Sequence, residues 1–459
     1  MGEKLKFYGG PLISLIPLLS FLFVALISYL QGASDIRGMW AGAVLGLIIS
    51  LFLARDKDAA AGAIIEGMAS RLALLPISCW LFAGIFAGAL KSSGLVEGIV
   101  WLAFQLQLGG GEIALFTFIA SALLATATGT GVGTTISGMT VLYPAGVILG
   151  GDPALLAGSI IAGGAFGDNI AAISDTTICS AATQNADIAG VVKSRVPYAL
   201  VAAGISALFI VFAGNSGHSG FELSNPEKYM DPTGLFMLGP AIFTIVLSWR
   251  GIHIIAATTA GTVATLFFSS LLDLTSPGEF LFFGEGQAGG VLIESIAGIV
   301  DLSFLTILLL ACIRIMQKGG GDRIFLDFLI KRIKTVGEAE MAIITVALFF
   351  TTIMTINAPP ILAAGIAFVR PLGEKFKIHP YRRANLLDAT ACTLVYSLPW
   401  SPSILLAVGI SSEIAKNFSQ VPPLGVTDIL PHIYYCFILL IVIVAAALTG
   451  WGRRFIEDS

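Results

Sequence analysis

This sequence has few charged residues. Only 12% of its 459 residues are charged, whereas 56% are hydrophobic. Because a soluble globular chain carries about 25% charged residues, the composition argues against that class. It predicts a polytopic membrane protein surrounded by a lipid bilayer. The formal net charge of -4 says little about partners, and we predict no nucleic-acid partner.

Patterned cysteines and hydrolytic motifs are also missing. The five cysteines stand in apolar runs without CxxC spacing, so we predict neither disulfides nor a cysteine-bound metal. The segment 214–217 matches GxSG, but it falls in a predicted outer linker, and Gly164 to Asp168 lacks the GxGD spacing. We therefore predict a protein that is not an enzyme and that needs no cofactor.

Long apolar runs predict an all-α fold. Ten runs are long enough to cross a bilayer, and two of them, 154–186 and 383–411, are interrupted by polar residues. Two further stretches, 112–149 and 340–372, break in the middle at small or turn residues and are interpreted as re-entrant helical hairpins. The remaining predicted crossings are 12–30, 38–53, 72–90, 197–213, 235–249, 253–272, 295–316 and 431–450.

Basic residues fix the predicted orientation. With both termini cytoplasmic, only four of the 25 basic residues, Arg37, Lys91, Lys228 and Lys416, fall outside, and the other 21, including Lys193 and Arg195, fall inside. This asymmetry is the one that cytoplasmic loops are expected to have. It predicts a multi-pass protein of the cell inner, or plasma, membrane, and counting either hairpin as a single crossing would destroy the asymmetry.

A sparse internal repeat relates the two halves. Glycines, prolines and a serine recur at one constant offset, as in Pro144 and Pro371, Pro153 and Pro380, and Ser174 and Ser401. Five crossings per half require the second half to run inverted relative to the first. We predict a first repeat at 1–213, an external linker at 214–234 and a second repeat at 235–459, an arrangement typical of transporters with a midplane site.

The stretch 163–181, GGAFGDNIAAISDTTICSA, is the first candidate site. A carboxylate at membrane depth costs roughly 3 kcal/mol, so residues of this kind are functional candidates by default. The glycines and the Ser-Asp-Thr-Thr run predict two half-helices joined by an unwound link. Asp168 and Asp175 are the predicted sodium ligands, although Asp175 could instead cap a half-helix. The polar residues of this stretch are Asp168, Asn169, Ser174, Asp175, Thr176 and Thr177.

The hairpin tips and the second interrupted run complete the candidate site. The first tip, TGTGVGTT, offers Thr130, Gly131 and Thr134, whose alternative role is close packing. The second tip offers Asn357. The second interrupted run contributes Asp388, Thr393 and Ser401.

The two half-sites are chemically unequal. At the repeat offset, Asp168 and Asp175 correspond to Val395 and Pro402. The alternative for Asp388 is an ion pair with Arg382 and Arg383 near the inner surface.

Two motifs carry a resemblance to a known family. FGDNIAAISDTT, followed by Asp187, Lys193 and Arg195, resembles the FGDK-SP-SDTT signature of the NhaC-type sodium/proton antiporter family. NLLDATACTLVYSLPWS at 385–401 resembles that family's second signature. The chain departs from the pattern at Asn169, at Ala171 and Ala172, at Leu362 to Ala364, and at Ser401.

The resemblance implies a ten-crossing, two-hairpin carrier. It points to Asp168, Ser174, Asp175, Thr176, Thr177 and Asp388 as site residues. The family includes carriers of sodium and protons and carriers of small organic acids and amino acids. We predict sodium/proton antiport by alternating access. The alternative is sodium- or proton-coupled transport of a small carboxylate or amino acid, and the sequence leaves a homodimer open.

Overall fold

The computed structural model is almost entirely helical. It describes residues 4–31, 37–95, 98, 101–102, 105–106, 108, 110–214, 232–250, 252–284, 287–322, 324, 333–354, 356–399, 401–417 and 421–456. Most of the predicted linker 214–234, and with it the GxSG match, lies outside the described residues. The long helices follow the apolar runs because a helix satisfies every backbone polar group internally, as a bilayer demands.

Twenty-one α-helices and one short β-ribbon are seen in the described residues. Eight helical segments there are long and apolar enough to cross a membrane, or nine if one bent pair is a single span, and three more apolar helices are shorter. The helices are α1 Ile16–Leu30, α2 Arg37–Leu53, α3 Lys57–Met68, α4 Arg71–Ser92, α5 Gly110–Thr128, α6 Gly131–Ser137, α7 Tyr143–Ile148, α8 Pro153–Ile170, α9 Asp175–Gln184, α10 Ile188–Gly214, α11 Leu238–Trp249, α12 Ile254–Leu271, α13 Pro277–Phe280, α14 Val291–Gly319, α15 Val336–Met354, α16 Ala358–Ala364, α17 Arg370–Lys375, α18 Pro380–Ser397, α19 Pro402–Asn417, α20 Val426–Ile429 and α21 Tyr434–Thr449.

Each stretch interpreted as a hairpin is a helix, a turn and a second helix. In the first, α5 ends at Thr128, and Gly129 turns the chain with a φ of 70°, a left-handed value that favours glycine. A π-helical turn, Gly138–Leu142, joins α6 to α7. In the second, α15 ends at Met354 and a π-helical turn, Gly365–Val369, joins α16 to α17. The two hairpins therefore share even an uncommon local feature.

The interrupted runs form two broken helices. The first broken helix is α8 and α9, separated by residues 171–174, and the second is α18 and α19, separated by 398–401. Proline at the first turn starts α8 and α18, where its missing N–H costs nothing. The offset that relates Ser174 to Ser401 also relates the bounds of α6 to those of α16, and it relates the two π-helical turns, α7 to α17, and α8 to α18.

The helices pack in two groups. One group contains α2, α3, α4, α12 and α14, and the other contains α5, α8, α10, α15, α18 and α21. The candidate site lies in the second group. Helix α4 also contacts α5 and α9, so it lines the boundary between the groups.

Two features were absent from the sequence prediction. Helix α3 fills a segment expected to be a loop, and its Glu66 lies 2.7 Å from both Arg314 and Lys318 at the end of α14. A two-stranded antiparallel ribbon pairs β1 Phe282–Gly284 with β2 Gln287–Gly289. Both features lie outside the candidate site.

Candidate ion-binding site

The first broken helix opens its backbone four residues before Asp175. The expected interruption is present, but the Ser-Asp-Thr-Thr run does not itself unwind: Asp175, Thr176 and Thr177 form the first turn of α9. An acidic residue is favoured there because the N-terminal end of a helix is partially positive. The alternative in which Asp175 is the cap is therefore wrong, since Ser174 holds the N-cap position.

Asp168 is fully buried and receives hydrogen bonds from both halves of the chain. Ser174, the last residue of the break, donates its hydroxyl to Asp168 Oδ1 at 2.7 Å. Tyr396, near the end of α18, donates to Asp168 Oδ2 at 2.7 Å. The serine makes no side-chain cap for α9. Its hydroxyl thus donates to the Asp168 carboxylate and does not cap the N-terminal end of α9.

Asp175 is the carboxylate with spare capacity. Its Oδ1 is shielded from solvent and has no hydrogen-bond partner within the described part of the chain. The side chain of Asn357, at the second hairpin tip, lies beside it, and the charges of Asp168 and Asp388 are close enough to act on it. A shielded carboxylate oxygen without a donor is costly unless it holds a proton or a cation.

Asp388 is paired, but not with the arginines that the sequence suggested. Arg195 Nη2 lies 2.5 Å from Asp388 Oδ2, and both side chains are fully buried. Arg382 instead pairs with Glu340, Nε to Oε1 at 2.8 Å. The proposed surface pair of Asp388 with Arg382 and Arg383 is therefore wrong, because α18 turns Asp388 towards the first half of the chain.

The position of Arg195 also differs from the sequence prediction. The sequence counted it among basic residues of an inner loop, whereas it lies within α10 and is wholly buried. Its Nη1 donates to the carbonyl oxygen of Asn169 at 2.6 Å and to Thr177 Oγ1 at 3.1 Å. Its Nε donates to Asn385 Oδ1 at 3.2 Å. The guanidinium thus joins α8, α9 and α18.

The remaining hydroxyls of the first site run towards Asp388. Thr176 Oγ1 lies 2.9 Å from Ser174 Oγ and 3.5 Å from the thiol of Cys392. The same thiol lies 3.2 Å from Asp388 Oδ1. A continuous polar chain therefore connects Asp168 to Asp388 inside the protein. Asn169 adds a contact from Tyr435, whose hydroxyl donates to Asn169 Oδ1 at 3.3 Å.

Both hairpin tips reach the broken helices. A Cβ at Gly129 would lie 2.6 Å from a side-chain carbon of Ile173, and one at Gly131 would clash with the hydroxyl of Tyr396. From the other tip, Asn357 Nδ2 donates to Tyr396 Oη at 3.3 Å. Tyr396 is consequently the residue at which the two tips and the two broken helices meet.

Four predicted site residues serve helix ends or their own helix. Thr130 accepts from the N–H of Gly133 at 3.1 Å, and Thr134 donates to the carbonyl of Thr130 at 2.9 Å. Thr393 donates to the carbonyl of Thr390 at 2.7 Å, and Ser401 accepts from the N–H of Ile404 at 3.4 Å. These contacts are structural, so a role for these hydroxyls in ion binding stays a prediction.

Two cavities approach the site from opposite ends of α4. One, of about 130 Å³, is lined by Lys91, the hydroxyls of the first tip and apolar residues. The other, of about 250 Å³, is lined by Cys79, Asp187 and His253 and reaches Ala172 in the first break. Cys79 and Lys91 are twelve residues apart on one helix, about 18 Å.

The described residues contain no group of three or more His, Cys, Asp or Glu side chains arranged to hold a metal ion. A monovalent cation such as sodium, as a transported substrate, is a different case. It can be coordinated by one or two carboxylates together with hydroxyl, amide and carbonyl oxygens, and the site provides all of these.

Several site residues were missed from the sequence. Tyr396 and Cys392 follow Asp388 at successive spacings of four, which places all three on one face of α18. Arg195 continues the buried face of α10 that also carries Val191, Ala199 and Ala202. Helical spacing around each charge was the signal that could have identified these residues.

Residues 8–215 match the model of the Na+/H+ antiporter family. The resemblance to that family is confirmed over the first half of the chain. This half carries Asp168, Asp175 and Arg195, whereas the second motif, at 385–401, lies beyond the matched residues and remains a resemblance.

One curated relative is the malate-2H(+)/Na(+)-lactate antiporter of Bacillus subtilis (strain 168). It is 24% identical over 210 residues, which cover 44% of this chain and 44% of that protein. The match thus spans less than half the length of the relative.

Two solved transporters share the fold along nearly the whole chain. The YdaH transporter of Alcanivorax borkumensis has a TM-score of 0.59 at 12% identity and covers 95% of this chain and 99% of its own. MtrF of Neisseria gonorrhoeae, described as one of a class of antimetabolite efflux pumps, has a TM-score of 0.57 at 11% identity and covers 96% and 95%. At these identities the likeness concerns the fold alone.

Proposed function

We propose that this protein is a secondary active transporter that exchanges sodium for protons by alternating access. Asp168 and Asp175 carry the cation and the proton in turn. Thr176, Asn357 and backbone carbonyls of the first break complete the coordination. The family match and the sodium-coupled relative support this proposal.

One observation carries the proposal. Asp175 Oδ1 is shielded from solvent without a hydrogen-bond partner among the described residues, beside an Asp168 that already has two donors. At membrane depth an uncompensated carboxylate is unstable. A proton or a sodium ion at Asp175 removes that cost, and competition between the two at the same oxygen is the coupling that antiport requires.

The two cavities support alternating access. They lie at opposite ends of α4, and Ala172 of the first broken helix lines one of them. Inverted repeats generate inward- and outward-facing states by exchanging the conformations of their two halves. The recurrence of helix bounds at the offset between the two halves supports such a repeat. We propose that the repeat has ten crossings, two re-entrant hairpins and both termini cytoplasmic.

Impermeant thiol labelling tests the orientation. Cysteines introduced at Ser219 and Ser459 in intact cells should react oppositely, with Ser219 accessible from outside and Ser459 protected. Ser14 provides an internal comparison because it is buried. Equal labelling at positions 219 and 459 would contradict the inverted arrangement and the plasma-membrane orientation.

Transport in proteoliposomes tests the function. Purified protein should drive sodium uptake when the lumen is acidic and the outside is alkaline, and lowering the external pH should raise the apparent KM for sodium because the proton occupies the same acid. The matched control is Asp428→Asn, which removes an exposed carboxylate that accepts the N–H of Gly425 at the start of a short helix outside the candidate site. Sodium uptake that ignores the pH gradient would overturn the proposal.

A second candidate is sodium- or proton-coupled transport of a small carboxylate or amino acid. The cavity of about 130 Å³ that Lys91 lines favours it, because a lysine ammonium can pair with a carboxylate. The relative's name mentions malate and lactate. If lactate, malate or an amino acid accelerates sodium movement in the proteoliposomes, and Lys91→Gln removes the acceleration, the second candidate replaces the first.

A further inference from the structure

Arg195 is the positively charged side chain that contacts the candidate site from α10. All three of its guanidinium nitrogens meet protein atoms: Asn385 at Nε, Asn169 and Thr177 at Nη1, and Asp388 at Nη2. These contacts involve every guanidinium nitrogen, and the side chain is wholly buried among them. We therefore interpret Arg195 as a fixed positive charge of the site and not as a residue that binds a substrate anion.

The surroundings of Asp388 are those expected of an occupied cation site. Its carboxylate has a hydroxyl, Ser180 Oγ, at 2.9 Å, a thiol, Cys392 Sγ, at 3.2 Å, and one positive charge, Arg195 Nη2, at 2.5 Å. Asp168 also has two hydroxyl donors, but the structure gives it no cationic side chain at contact distance among the described residues. The difference between the two acids is one tethered positive charge.

From this geometry we propose that Arg195 is a resident cation that neutralises Asp388, so that mobile cations enter only at Asp168 and Asp175. The inference rests on the proposed function, and it deepens it by assigning charges within the site. Three carboxylates and one arginine leave two negative charges to be balanced. An arginine cannot release its proton in a protein, so Asp388 stays paired through the whole transport cycle.

The attachment of Arg195 explains how the pair stays with the site. Its Nη1 holds the carbonyl of Asn169, next to the last residue of α8, and the hydroxyl of Thr177, in the first turn of α9. A positive charge at the C-terminal end of a helix is stabilising. Any movement of the first broken helix therefore carries the resident cation with it.

Counting bound cations on purified protein tests the inference. Equilibrium dialysis with radiolabelled sodium is performed at alkaline pH, where protons compete least. Arg195→Gln frees Asp388, so this variant should bind one more monovalent cation per chain than the unaltered protein. Arg195→Gln with Asp388→Asn removes both charges and should return the count to that of the unaltered protein, and Arg195→Lys, the charge-preserving control, should leave the count unchanged.

Asp388→Asn gives an independent measurement. It leaves Arg195 unpaired next to the mobile sites, so sodium affinity should fall on the order of tenfold or more through like-charge repulsion, and adding Arg195→Gln should restore it. An unaltered cation count in Arg195→Gln, or an unaltered affinity in Asp388→Asn, would overturn the inference. If Arg195→Gln aggregates, failure of the double variant to restore both monodispersity and sodium binding would also overturn it.

The same data separate the inference from the proposed function. Absence of sodium binding by the unaltered protein contradicts the proposed function. The inference depends only on the difference between Arg195→Gln and the unaltered protein, and rubidium or potassium measured in parallel reports that difference whichever cation the mobile sites prefer.

Discussion

The two broken helices have nearly the same backbone and opposite chemistry. Ser174 and Ser401 occupy corresponding positions in the two halves, immediately before α9 and α19. Ser401 accepts the N–H of Ile404 and so caps its helix, whereas Ser174 donates its hydroxyl to Asp168. The two broken helices thus carry serines at equivalent positions, but only Ser174 hydrogen-bonds to a carboxylate.

The same comparison applies at the ends of α8 and α18. Asn169 and Tyr396 are corresponding residues, yet Tyr396 crosses to the first half and donates to Asp168. The first broken helix supplies Asp168 and also Asp175, whose Oδ1 has no partner among the described residues, and the second supplies the donor Tyr396 and the paired Asp388. On the proposed function, a few side-chain differences thus make the first broken helix the ion site and the second its support.

The largest expected effect comes from removing charge in the first half. Asp175→Asn keeps the shape but cannot exchange a proton for sodium, so exchange should fall to the background of empty liposomes while the protein still reaches the membrane. Asp168→Asn should do the same if both acids share the ion, or only shift the pH profile if Asp168 supports Asp175. Sodium flux against a pH gradient measures both, with variant expression as the control.

Normal, pH-dependent sodium transport in both variants would place the cation elsewhere. Retained ion exchange with lost uptake of an organic solute would instead favour the second candidate function. The comparison between halves predicts no comparable loss for Val395→Ala, because this residue corresponds to Asp168 but is apolar and buried in α18.

The next effect concerns the hairpin tips. Gly131 corresponds to Ala358 in the second hairpin, and a Cβ at Gly131 would clash with Tyr396 Oη and lie 2.9 Å from the carbonyl oxygen of Gly164. Gly131→Ala should therefore displace Tyr396 at a cost of about 1–3 kcal/mol. We expect most transport to be lost, while Ala358→Gly should cost about 1 kcal/mol of stability and leave sodium affinity unchanged. Equal losses of transport in Gly131→Ala and Ala358→Gly would contradict the proposed difference between the two tips.

The sequence predicted much of the fold because polarity is informative inside a membrane. The breaks at 171–174 and 398–401 and the two helix–turn–helix stretches followed from polar or small residues in apolar runs. The same reasoning selected Asp168 and Asp175 as candidates. The partner of Asp388 did not follow. A basic residue near a span end is usually exposed at the inner surface, and only the packing of α10 against α18 reveals that Arg195 is enclosed.

Tyr396 escaped prediction for a related reason. An aromatic residue in a membrane helix commonly packs against apolar neighbours, and its hydroxyl partner lies 228 residues away in the chain. Long-range donor contacts of this kind depend on how the halves meet. The sequence alone identifies the acids and the nearby donor Ser174, but it does not identify the distant donor Tyr396.

Tyr396→Phe should give an intermediate effect. It removes one donor from Asp168 and leaves the ring in place, a loss of about 1.5–3 kcal/mol for a hydrogen bond to a charged group. The ionised form of Asp168 is then less stabilised, so protons should compete better and the apparent KM for sodium should rise about 10- to 100-fold near neutral pH. The rise should shrink as the pH increases. A KM equal to that of the unaltered protein at every pH would mean that this bond does not tune the site.

The smallest effects come from the two serines, and they test the comparison most directly. Ser174→Ala removes a donor to Asp168 without removing a cap, so it should raise the apparent KM for sodium about tenfold, the kinetic equivalent of about 1.4 kcal/mol, with little change in thermal stability. Ser401→Ala should do the reverse: loss of a cap costs about 1 kcal/mol of stability, and sodium affinity should be unaffected because Ser401 Oγ accepts a backbone N–H of its own helix. Thermal unfolding in detergent and sodium titration in proteoliposomes measure the two properties separately for each variant. If Ser401→Ala weakens sodium transport as much as Ser174→Ala does, the second broken helix carries part of the cation site, and the division between an ion-carrying half and a supporting half is wrong.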